Sequence, residues 1–400
     1  MSRSLPSILL LLAVVLVVVG GSHYWLWSRF VLATVLPSPW RQMATSALIL
    51  LALSLPAAFA SRAIDAPWSR GMAAVGFTWM GLIFLLILGL GTAELGKWLV
   101  LGVERLREGT GWVGVDAERR LFLARILGGG AALAATGTGL LALREGMREP
   151  ELREVTVPLS RLPAALDGLT VVQVSDLHVG PTIRRDLVAS LVARIQALKP
   201  DLIVLTGDLV DGSVAHLRSQ TEPLGQLRAP HGVYAVTGNH EYYSGADAWI
   251  AELRRLGIRT LRNERIDIAK DGAVFDLAGI DDWTAHRFGH GHGANLPKAL
   301  QGRDPTRELV LLAHQPKAIV EAAALGVGLQ LSGHTHGGQI WPFGFIVKLV
   351  QPYVAGLAKH GPTWIYVSSG TGYWGPPMRL AAPAELTRIT LRSEKIRQPA

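Results

Sequence analysis

The chain has 400 residues, 49% of them hydrophobic and only 18% charged, with a formal net charge of +8. The hydrophobic fraction excludes a disordered chain, and a charged fraction below the ~25% of soluble domains argues against an ordinary soluble protein. The sequence contains no cysteine, which excludes disulfides, thiolate metal ligands and a cysteine nucleophile but leaves the cellular compartment open.

Charged residues are distributed unevenly along the chain. Residues 1–149 carry 13 Lys and Arg and 8 Asp and Glu, in a few clusters between long uncharged runs, whereas residues 150–400 carry 26 and 23. This contrast predicts a membrane anchor over residues 1–149 and a globular domain over residues 150–400. The mild basic excess of the second part gives no indication of nucleic-acid binding.

Four stretches of the first part lack Asp, Glu, Lys and Arg: residues 4–28, 42–61, 71–93 and 126–143. A membrane-spanning helix needs about 20 mostly apolar residues, so the first three stretches qualify and the fourth is borderline. The alternative for the fourth stretch is a buried helix of the globular domain. Because none of the stretches has a charge near its middle, we expect about four transmembrane helices that act as an anchor rather than a transport path.

Lys and Arg in the short connections indicate the orientation of these helices, because such residues concentrate on the cytoplasmic side. Seven lie in the connections after the first and third stretches: Arg29, Arg41, Lys97, Arg105, Arg107, Arg119 and Arg120. Three lie on the opposite side before the last stretch ends: Arg3, Arg62 and Arg70. Although Arg144, Arg148 and Arg153 act in the opposite sense, the count predicts that the globular domain lies outside the cytoplasm.

Two adjacent arginines precede the fourth stretch. Arg119 and Arg120, followed by a weakly hydrophobic run rich in Gly and Ala, resemble a twin-arginine export signal in an internal position. Adjacent arginines also occur in many membrane proteins, so the pair supports export only together with the connection charges. Residues 132–134 would fit a cleavage site, which leaves open whether the domain is released. Residues 98–107 predict an amphipathic helix at the membrane interface.

The second part alternates short apolar runs with helical patterns. The runs predict strands at residues 169–175, 201–206, 232–237, 273–280, 309–313, 329–332, 363–368 and 385–391. Helices are predicted over residues 184–198 and 246–256, the first from apolar Leu187, Leu191, Ile195 and Leu198 at helical spacing. This alternation predicts an α/β fold with helices covering a sheet.

Five polar clusters directly follow predicted strands. They are Asp176 with His178, Asp208 with Asp211, Asn239 with His240, His314 alone, and His334 with His336. Each cluster alone is typical of a turn or a cap. Ligand sites of open α/β sheets lie beyond the carboxyl ends of strands, so the set indicates one shared site. Carboxylate and amide oxygens mixed with imidazoles, without thiolates, suit two ions of Mn, Fe or Zn.

In residues 169–391 these clusters, in this order, resemble the five motifs of the calcineurin-like metallophosphoesterases. The surrounding sequence, including residues 333–339 and 369–372, is similar to a bacterial membrane-associated branch, some of whose members are exported by the twin-arginine route. The resemblance implies a sandwich of two mixed sheets flanked by helices and a dinuclear metal site. Together with the uncharged stretches and the charges of the connections, it predicts a multi-pass protein of the bacterial inner membrane with an extracytoplasmic catalytic domain.

The resemblance further implies a role for each matched residue. The first metal would be held by Asp176, His178 and His336, the second by Asn239, His314 and His334, and Asp208 would bridge the two. His240 would protonate the leaving group or stabilise the transition-state charge, with Asp211 orienting its ring. The implied reaction is hydrolysis of a phosphodiester or pyrophosphate bond without a phospho-enzyme intermediate.

Residues 340–350 and 373–378 are rich in aromatic and apolar side chains, and two interpretations stay open. They form either a buried hairpin or an apolar rim beside the metals that dips toward the lipid bilayer and admits a lipid tail. The second interpretation predicts a phospholipid or a nucleotide-activated glycolipid as substrate. The branch also resembles hydrolases of a UDP-linked diacylglucosamine, whose cytoplasmic reaction conflicts with the predicted orientation.

Two other classes of function use or imitate the same motifs. A nuclease or cyclic-nucleotide phosphodiesterase would share the metals but would need a basic groove and no anchor, so no nucleic-acid partner is expected. A non-enzymatic membrane sensor would tolerate loss of ligands, whereas every ligand position here is filled. Arg379 is expected to be a solvated surface residue rather than a phosphate ligand. The oligomeric state and the physiological metal stay open.

Overall fold

The computed structural model describes residues 5–64, 66–108 and 116–396. The chain divides into two compact units. The first comprises Met1–Ser61, Pro67–Arg144 and Gly375–Pro377, and the second comprises Arg62–Ala66, Glu145–Trp374 and Met378–Ala400. The division after Arg144 lies close to the predicted domain boundary after residue 149, which stays a prediction.

The described part of the first unit is built from long apolar helices. They are α1 (Leu5–Trp27), α2 (Trp40–Ala60), α3 (Pro67–Glu108) and α4 (Ala117–Gly146). Each of α2, α3 and α4 contains a stretch long and apolar enough to cross a membrane, and a fourth such stretch, Ala13–Leu32, begins in α1 and extends beyond it, in agreement with the predicted spans. A short π-helix, Ser28–Leu32, directly follows α1.

The helices of the first unit bury a small core and leave apolar faces outside. The core includes Leu26, Leu55, Trp79 and Ile83, whereas side chains such as Leu50 on α2 are exposed. Apolar side chains on an outer helix face are what lipid contact requires. Residues 98–107 are helical, as predicted, and form the last turns of α3, which runs without a break to Glu108; their position at the membrane interface stays a prediction. The predicted export-signal arginines lie in the first turn of α4.

The described part of the second unit contains two mixed six-stranded sheets. In chain order the strands are β1 (Glu151–Leu159), β2 (Thr170–Val174), β3 (Leu202–Leu205), β4 (Val233–Ala235), β5 (Arg259–Thr260), β6 (Glu264–Lys270), β7 (Ala273–Gly279), β8 (Leu309–Leu312), β9 (Leu329–Ser332), β10 (Gly356–His360), β11 (Thr363–Val367) and β12 (Glu385–Ser393). The first sheet has the order β1-β12-β2-β3-β4-β5 and the second β10-β11-β9-β8-β7-β6.

Parallel pairing dominates the centre of both sheets. In the first sheet β2, β3, β4 and β5 are parallel, with Val171 opposite Leu202 and Ile203 opposite Val233. In the second sheet β7, β8, β9 and β11 are parallel. Because the carboxyl ends of parallel strands lie at the same end of a sheet, the residues that follow these strands lie close together.

Short helices connect the strands of the second unit. They are α5 (Arg185–Ala197), α6 (Val214–Thr221), α7 (Asn239–Ser244), α8 (Ala246–Arg255), α9 (Leu296–Ala299), α10 (Ile319–Ala324) and α11 (Gly344–Val347). Helix α5 buries Val188, Leu191, Val192 and Ile195. The predicted stripe placed Leu187 in this face, but that side chain is exposed.

One buried cluster draws side chains from both sheets. It includes Val171 and Val204 of the first sheet and Phe275, Val310 and Leu331 of the second. Residues of this type pack densely and supply most of the hydrophobic stabilisation of a domain. The α/β domain with mixed sheets is therefore as predicted, and the shared cluster is what the expected two-sheet sandwich requires.

Candidate metal centre

The predicted site residues meet where β2, β3, β4, β8 and β9 end. Asp176 lies two residues beyond β2, Asp208 three beyond β3, and His314 two beyond β8. Asn239 opens α7 after β4, and His334 follows β9. All nine predicted side chains lie in this region and are buried, except that of His334, which is half-buried.

The first group of converging atoms belongs to Asp176, His178 and His336, whose nearest ligand atoms all lie within 4.8 Å of one another. The two Nε2 atoms of His178 and His336 are 3.1 Å apart. Oδ1 of Asp176 is 3.5 Å from Nε2 of His336. Two ring nitrogens and a carboxylate oxygen facing one point form a donor set for a divalent cation.

The second group belongs to Asp208, His314 and His334, again within 4.8 Å. Nε2 of His314 is 3.1 Å from Oδ2 of Asp208 and 3.2 Å from Nδ1 of His334. The same Oδ2 atom is 4.0 Å from Nε2 of His178. Asp208 therefore places one oxygen between the two groups, where a bridging ligand has to lie.

Unpartnered donor atoms indicate that the groups fit metal ions. Oδ1 of Asn239 is buried and has no hydrogen-bond partner among the described residues. Nδ1 of His314 lies 2.8 Å from the carbonyl oxygen of Thr206, and a proton on Nδ1 leaves the Nε2 lone pair free. Since buried polar atoms are rarely left unsatisfied, a cation is the simplest partner for the Asn239 oxygen.

Burial keeps two histidines of the site neutral. It lowers the pKa of His334 to about 3 and holds the pKa of His336 well below its ordinary value, with the neighbouring imidazoles His314 and His178 adding to the effect. Both rings are therefore neutral near pH 7. A neutral imidazole presents the lone pair that metal binding requires.

Backbone strain is concentrated at the same residues. Five of the seven predicted ligands have φ between +50° and +73°: Asp176, His178, Asp208, His334 and His336. Such values are uncommon for residues other than glycine. Strained backbone of this kind clusters at functional sites, where the surrounding structure enforces it.

Two glycines allow the loops to approach closely. A Cβ atom at Gly333 would overlap the side chains of Ser175 and Asp176, and one at Gly238 would overlap Asp208. Both glycines precede predicted ligands, Asn239 and His334. The absence of a side chain at these positions is therefore a condition of the site geometry.

His240 is held by carboxylates. Its Nδ1 lies 2.5 Å from Oδ1 of Asp211, and its backbone N–H donates to Asp208 at 2.8 Å. Burial opposes protonation, but Asp208 and Asp211 outweigh it and raise the pKa of His240 to about 9. A protonated imidazole with a fixed ring is suited to donate a proton.

Asp211 orients two histidines at once. Its Oδ1 also accepts from Nδ1 of His178 at 3.1 Å, and its Oδ2 forms an ion pair with Arg62 of the same unit at 3.1 Å. Burial opposes ionisation, yet His178 and His240 hold the pKa of Asp211 well below its usual range. The permanent carboxylate fixes His178 with Nε2 toward the first group of ligand atoms.

Comparison with known proteins agrees with this geometry. The family description "Calcineurin-like phosphoesterase" matches residues 169–338, which include all nine predicted site residues. A "Transmembrane protein with metallophosphoesterase domain" from Danio rerio is 38% identical over 319 residues, which cover 78% of this chain and 70% of that protein. The chain belongs to the calcineurin-like phosphoesterase family.

Two further relatives also carry metallophosphoesterase names. A "Transmembrane protein with metallophosphoesterase domain" from Bos taurus is 41% identical over 290 residues, 70% of this chain and 65% of that protein. An "Uncharacterized metallophosphoesterase" from Helicobacter pylori is 38% identical over 276 residues, 68% of this chain and 72% of that protein. The transmembrane names of the two vertebrate relatives and the four apolar helices of the described chain agree with a membrane-associated metallophosphoesterase, and the chain spans about two thirds of the bovine relative.

Glu241 is a residue of the phosphoesterase site that sequence reasoning did not assign. Its carboxylate accepts backbone N–H groups of Gly238 at 2.7 Å, Asp208 at 2.9 Å and Leu209 at 2.7 Å. It therefore ties the loop after β3 to the loop after β4. In the sequence, only its position directly after His240 indicates that Glu241 belongs to the site. The fold is needed to show which N–H groups its carboxylate contacts.

Two aromatic rings flank His240. The ring centroids of Tyr243 and Trp374 lie 5.2 and 5.9 Å from that of His240, both edge-on. Both side chains are exposed. They border the His240 ring, and no sequence spacing joins residues 243 and 374.

One expectation about the surroundings of the site is wrong. Arg379 is fully buried, because carbonyl oxygens of Gly370, Gly372, His336 and Ala382 accept from its guanidinium. The five N–H donors of arginine can be satisfied by such a cage. Of the two interpretations left open for residues 340–350 and 373–378, a buried hairpin does not fit residues 341–350, whose large apolar side chains other than Val347 are exposed, whereas residues 375–378 are buried.

Proposed function

We propose that the protein is a dinuclear-metal phosphodiesterase that hydrolyses a phosphodiester or pyrophosphate bond of a lipid-linked or nucleotide-linked substrate. The metals would be two ions of Mn, Fe or Zn. The site would face the extracytoplasmic side of a bacterial inner membrane, in agreement with the charges of the connections and the twin-arginine pair. The substrate would be a phospholipid or a nucleotide-activated glycolipid.

The position of Asp208 carries this proposal. One carboxylate oxygen lies between two histidine-containing groups, 3.1 Å from His314 and 4.0 Å from His178. We assign Asp176, His178 and His336 to one metal, and Asn239, His314 and His334 to the other, with Asp208 shared. The unpartnered Asn239 oxygen supports the second assignment.

Two bound divalent cations would supply a hydroxide nucleophile near neutral pH and neutralise phosphoryl charge. The chain itself would supply the proton for the leaving oxygen from Nε2 of His240. Asp211 would keep Nδ1 of that ring occupied, so that the acidic proton lies on Nε2. Tyr243 and Trp374 would border the leaving group and limit its access to water.

The apolar helices and the exposed aromatic side chains favour a lipid-linked substrate. The described chain carries four helices suited to cross a bilayer, and exposed aromatic side chains border His240. Exposed aromatic rings favour ligands with apolar parts. A nucleotide-linked lipid would present both an apolar tail and a phosphate to such a site.

A comparison of two chromogenic esters tests the reaction. The full chain, purified in detergent and loaded with manganese, is expected to hydrolyse a bis-aryl phosphate faster than an aryl monophosphate. Asp208→Ala should abolish both rates, because the shared ligand is lost. The thermal unfolding midpoint of Asp208→Ala, measured beside the metal content, distinguishes loss of the site from loss of the fold.

Preference for the monoester would replace the proposal with a phosphomonoesterase. Absence of hydrolysis of both esters by a folded, metal-loaded sample would contradict a general phosphodiesterase. The substrate class is tested by comparing phospholipid in mixed micelles with a cyclic nucleotide and single-stranded DNA. Faster turnover of the nucleotide or DNA, independent of lipid, would favour the nuclease or cyclic-nucleotide alternative, and metal binding without any turnover would favour a sensor.

A further inference from the structure

Residues 341–350 present an unusual surface for a domain in water. Six large apolar side chains of this segment are exposed by 44–83%: Trp341, Phe343, Phe345, Ile346, Leu349 and Val350. Single exposed apolar residues are normal on any protein, whereas a contiguous group marks a binding surface. We call these ten residues the apolar segment.

The apolar segment is held at both ends. Ile340 before it and Gln351 after it are buried. The N–H of Trp341 donates to the carbonyl of Leu380 at 3.0 Å, and Gln351 Nε2 lies 3.4 Å from Gln315 Oε1. Turns and the short helix α11 occupy the middle. The structure therefore presents the apolar side chains from a fixed base.

The charge of the region favours an anionic partner. Residues 322–384 contain no Asp or Glu. Within the apolar segment Lys348 is the one charged residue, and its Nζ lies 5.7 Å from the centroid of the Phe345 ring. Lys359 is a second exposed cation. A lysine whose stem lies along apolar side chains can reach lipid phosphates while those side chains are immersed.

The apolar segment is connected to the side of the site on which His240 lies, which we call the leaving-group side. The Gln339 side chain joins it to Trp374, donating to the Trp374 carbonyl at 3.0 Å and accepting from its N–H at 3.0 Å. The ring of Trp374 in turn lies edge-on to His240. Two hydrogen bonds of Gln339 therefore connect the start of the apolar segment to the residue whose ring lies beside His240.

We propose that the apolar segment docks into the headgroup region of an anionic lipid bilayer and holds the leaving-group side of the site at the membrane surface. Trp and Phe with an adjacent lysine are typical of residues at the membrane interface. A chain with four apolar helices works beside a bilayer, which favours lipid over a second copy of the chain. The inference deepens the proposed function by giving its lipid substrate a point of entry.

The native absence of cysteine permits a direct test of segment position. Leu349→Cys, carrying an environment-sensitive fluorophore, is studied in the full chain in nanodiscs that contain nitroxide-labelled lipids. Leu325→Cys is the matched control, since Leu325 is also an exposed leucine but precedes β9, at the opposite end of that strand from His334. We expect at least two-fold stronger quenching at position 349 than at position 325.

Lipid charge provides the second comparison. In nanodiscs with anionic lipid, Lys348→Glu should remove at least half of the quenching at position 349, whereas Lys298→Glu, the same change at an exposed lysine on α9, should leave it unchanged. Equal quenching at 349 and 325 would overturn docking, and indifference to Lys348→Glu would overturn the anionic partner. Energy transfer between differently labelled copies in detergent would assign the surface to a second copy instead.

These readouts do not depend on catalysis. Unfolding midpoints of the labelled variants, equal to that of the unlabelled chain, show that each is folded. If position 349 is not quenched while ester hydrolysis persists, the docking inference fails and the proposed function stands. If position 349 is quenched but no ester is hydrolysed, the docking inference stands and the proposed function fails.

Discussion

At the scale of single residues, the geometry separates the candidate metal ligands from the candidate proton donor. The ligand atoms of Asp176, His178 and His336 converge on one point, whereas Nδ1 of His240 is already bonded to Asp211. His240 therefore has its Nε2 free for a substrate oxygen and contributes no atom to the two groups assigned to metal. This division predicts that metal content and catalysis respond differently to substitution.

His240→Ala is expected to keep both metals and to lose about 10²- to 10⁴-fold in the hydrolysis of esters with alkyl leaving groups. The loss should be smaller for a nitrophenyl ester, because its leaving oxygen needs no proton. Rates for the two esters are measured beside the metal content of the purified chain. His290→Ala, a change at an exposed histidine in a loop, serves as the matched control.

The decisive result is the metal content of His240→Ala. A variant that loses metal in proportion to its activity would show that His240 is a ligand or a structural support. Equal losses for alkyl and nitrophenyl esters would argue against a role in leaving-group protonation. Retained metal with a loss that grows with the basicity of the leaving group supports the assignment.

At the scale of elements, the loops after the strands build the site by close approach. Gly333 lies between the end of β9 and His334. The backbone N–H of His334 donates to both carboxylate oxygens of Asp176 at 2.9 and 3.0 Å. A side chain at residue 333 would push these loops apart. The position of the carboxylate thus depends on a residue that binds no metal.

Gly333→Ala is therefore expected to lower the occupancy of the metal assigned to Asp176, because the new Cβ overlaps that carboxylate. Metal content after dialysis against a limiting manganese concentration should fall at least several-fold. Gly344→Ala is the matched control, since a Cβ there would meet its nearest atom at an ordinary 3.6 Å. A metal occupancy of Gly333→Ala equal to that of the wild type would show that the loops can move apart without weakening metal binding.

Elements at the sheet edges show the limit of sequence patterns. The central strands β3 and β8 consist of apolar residues buried on both faces, and such runs are readily predicted. Strand β1 was not predicted, because its first four residues are exposed and include Glu151, Arg153 and Glu154. Its pairing with β12 stabilises the strand despite this polar sequence, since an edge strand buries little.

At the scale of the whole molecule, the sequence predicts on which side of the membrane the second unit lies. Seven Lys and Arg in two connections against three on the other side favour an extracytoplasmic catalytic domain. A domain in that location would act on exported or outward-facing lipids. The UDP-linked diacylglucosamine alternative needs the opposite location.

Reporter fusions test the orientation. Alkaline phosphatase fused after Glu151 is expected to be active, and green fluorescent protein fused there should be dark, because each reporter works on one side of the membrane. Fusions after Glu108 are the matched control and should give the opposite pair of results. A fluorescent fusion at 151 with inactive phosphatase would place the domain in the cytoplasm and restore the alternative substrate.

The sequence by itself determined the apolar spans, the central strands and nine candidate site residues, because uncharged length, buried β-rich runs and polar residues at strand ends are local signals. The tertiary structure decided which groups meet. Only the fold brings Oδ2 of Asp208 between His178 and His314, closes a carbonyl cage around Arg379, and gives Glu241 three N–H donors from two loops. Only the fold leaves residues 341–350 exposed. Burial and contact between distant segments depend on packing, which no local pattern encodes.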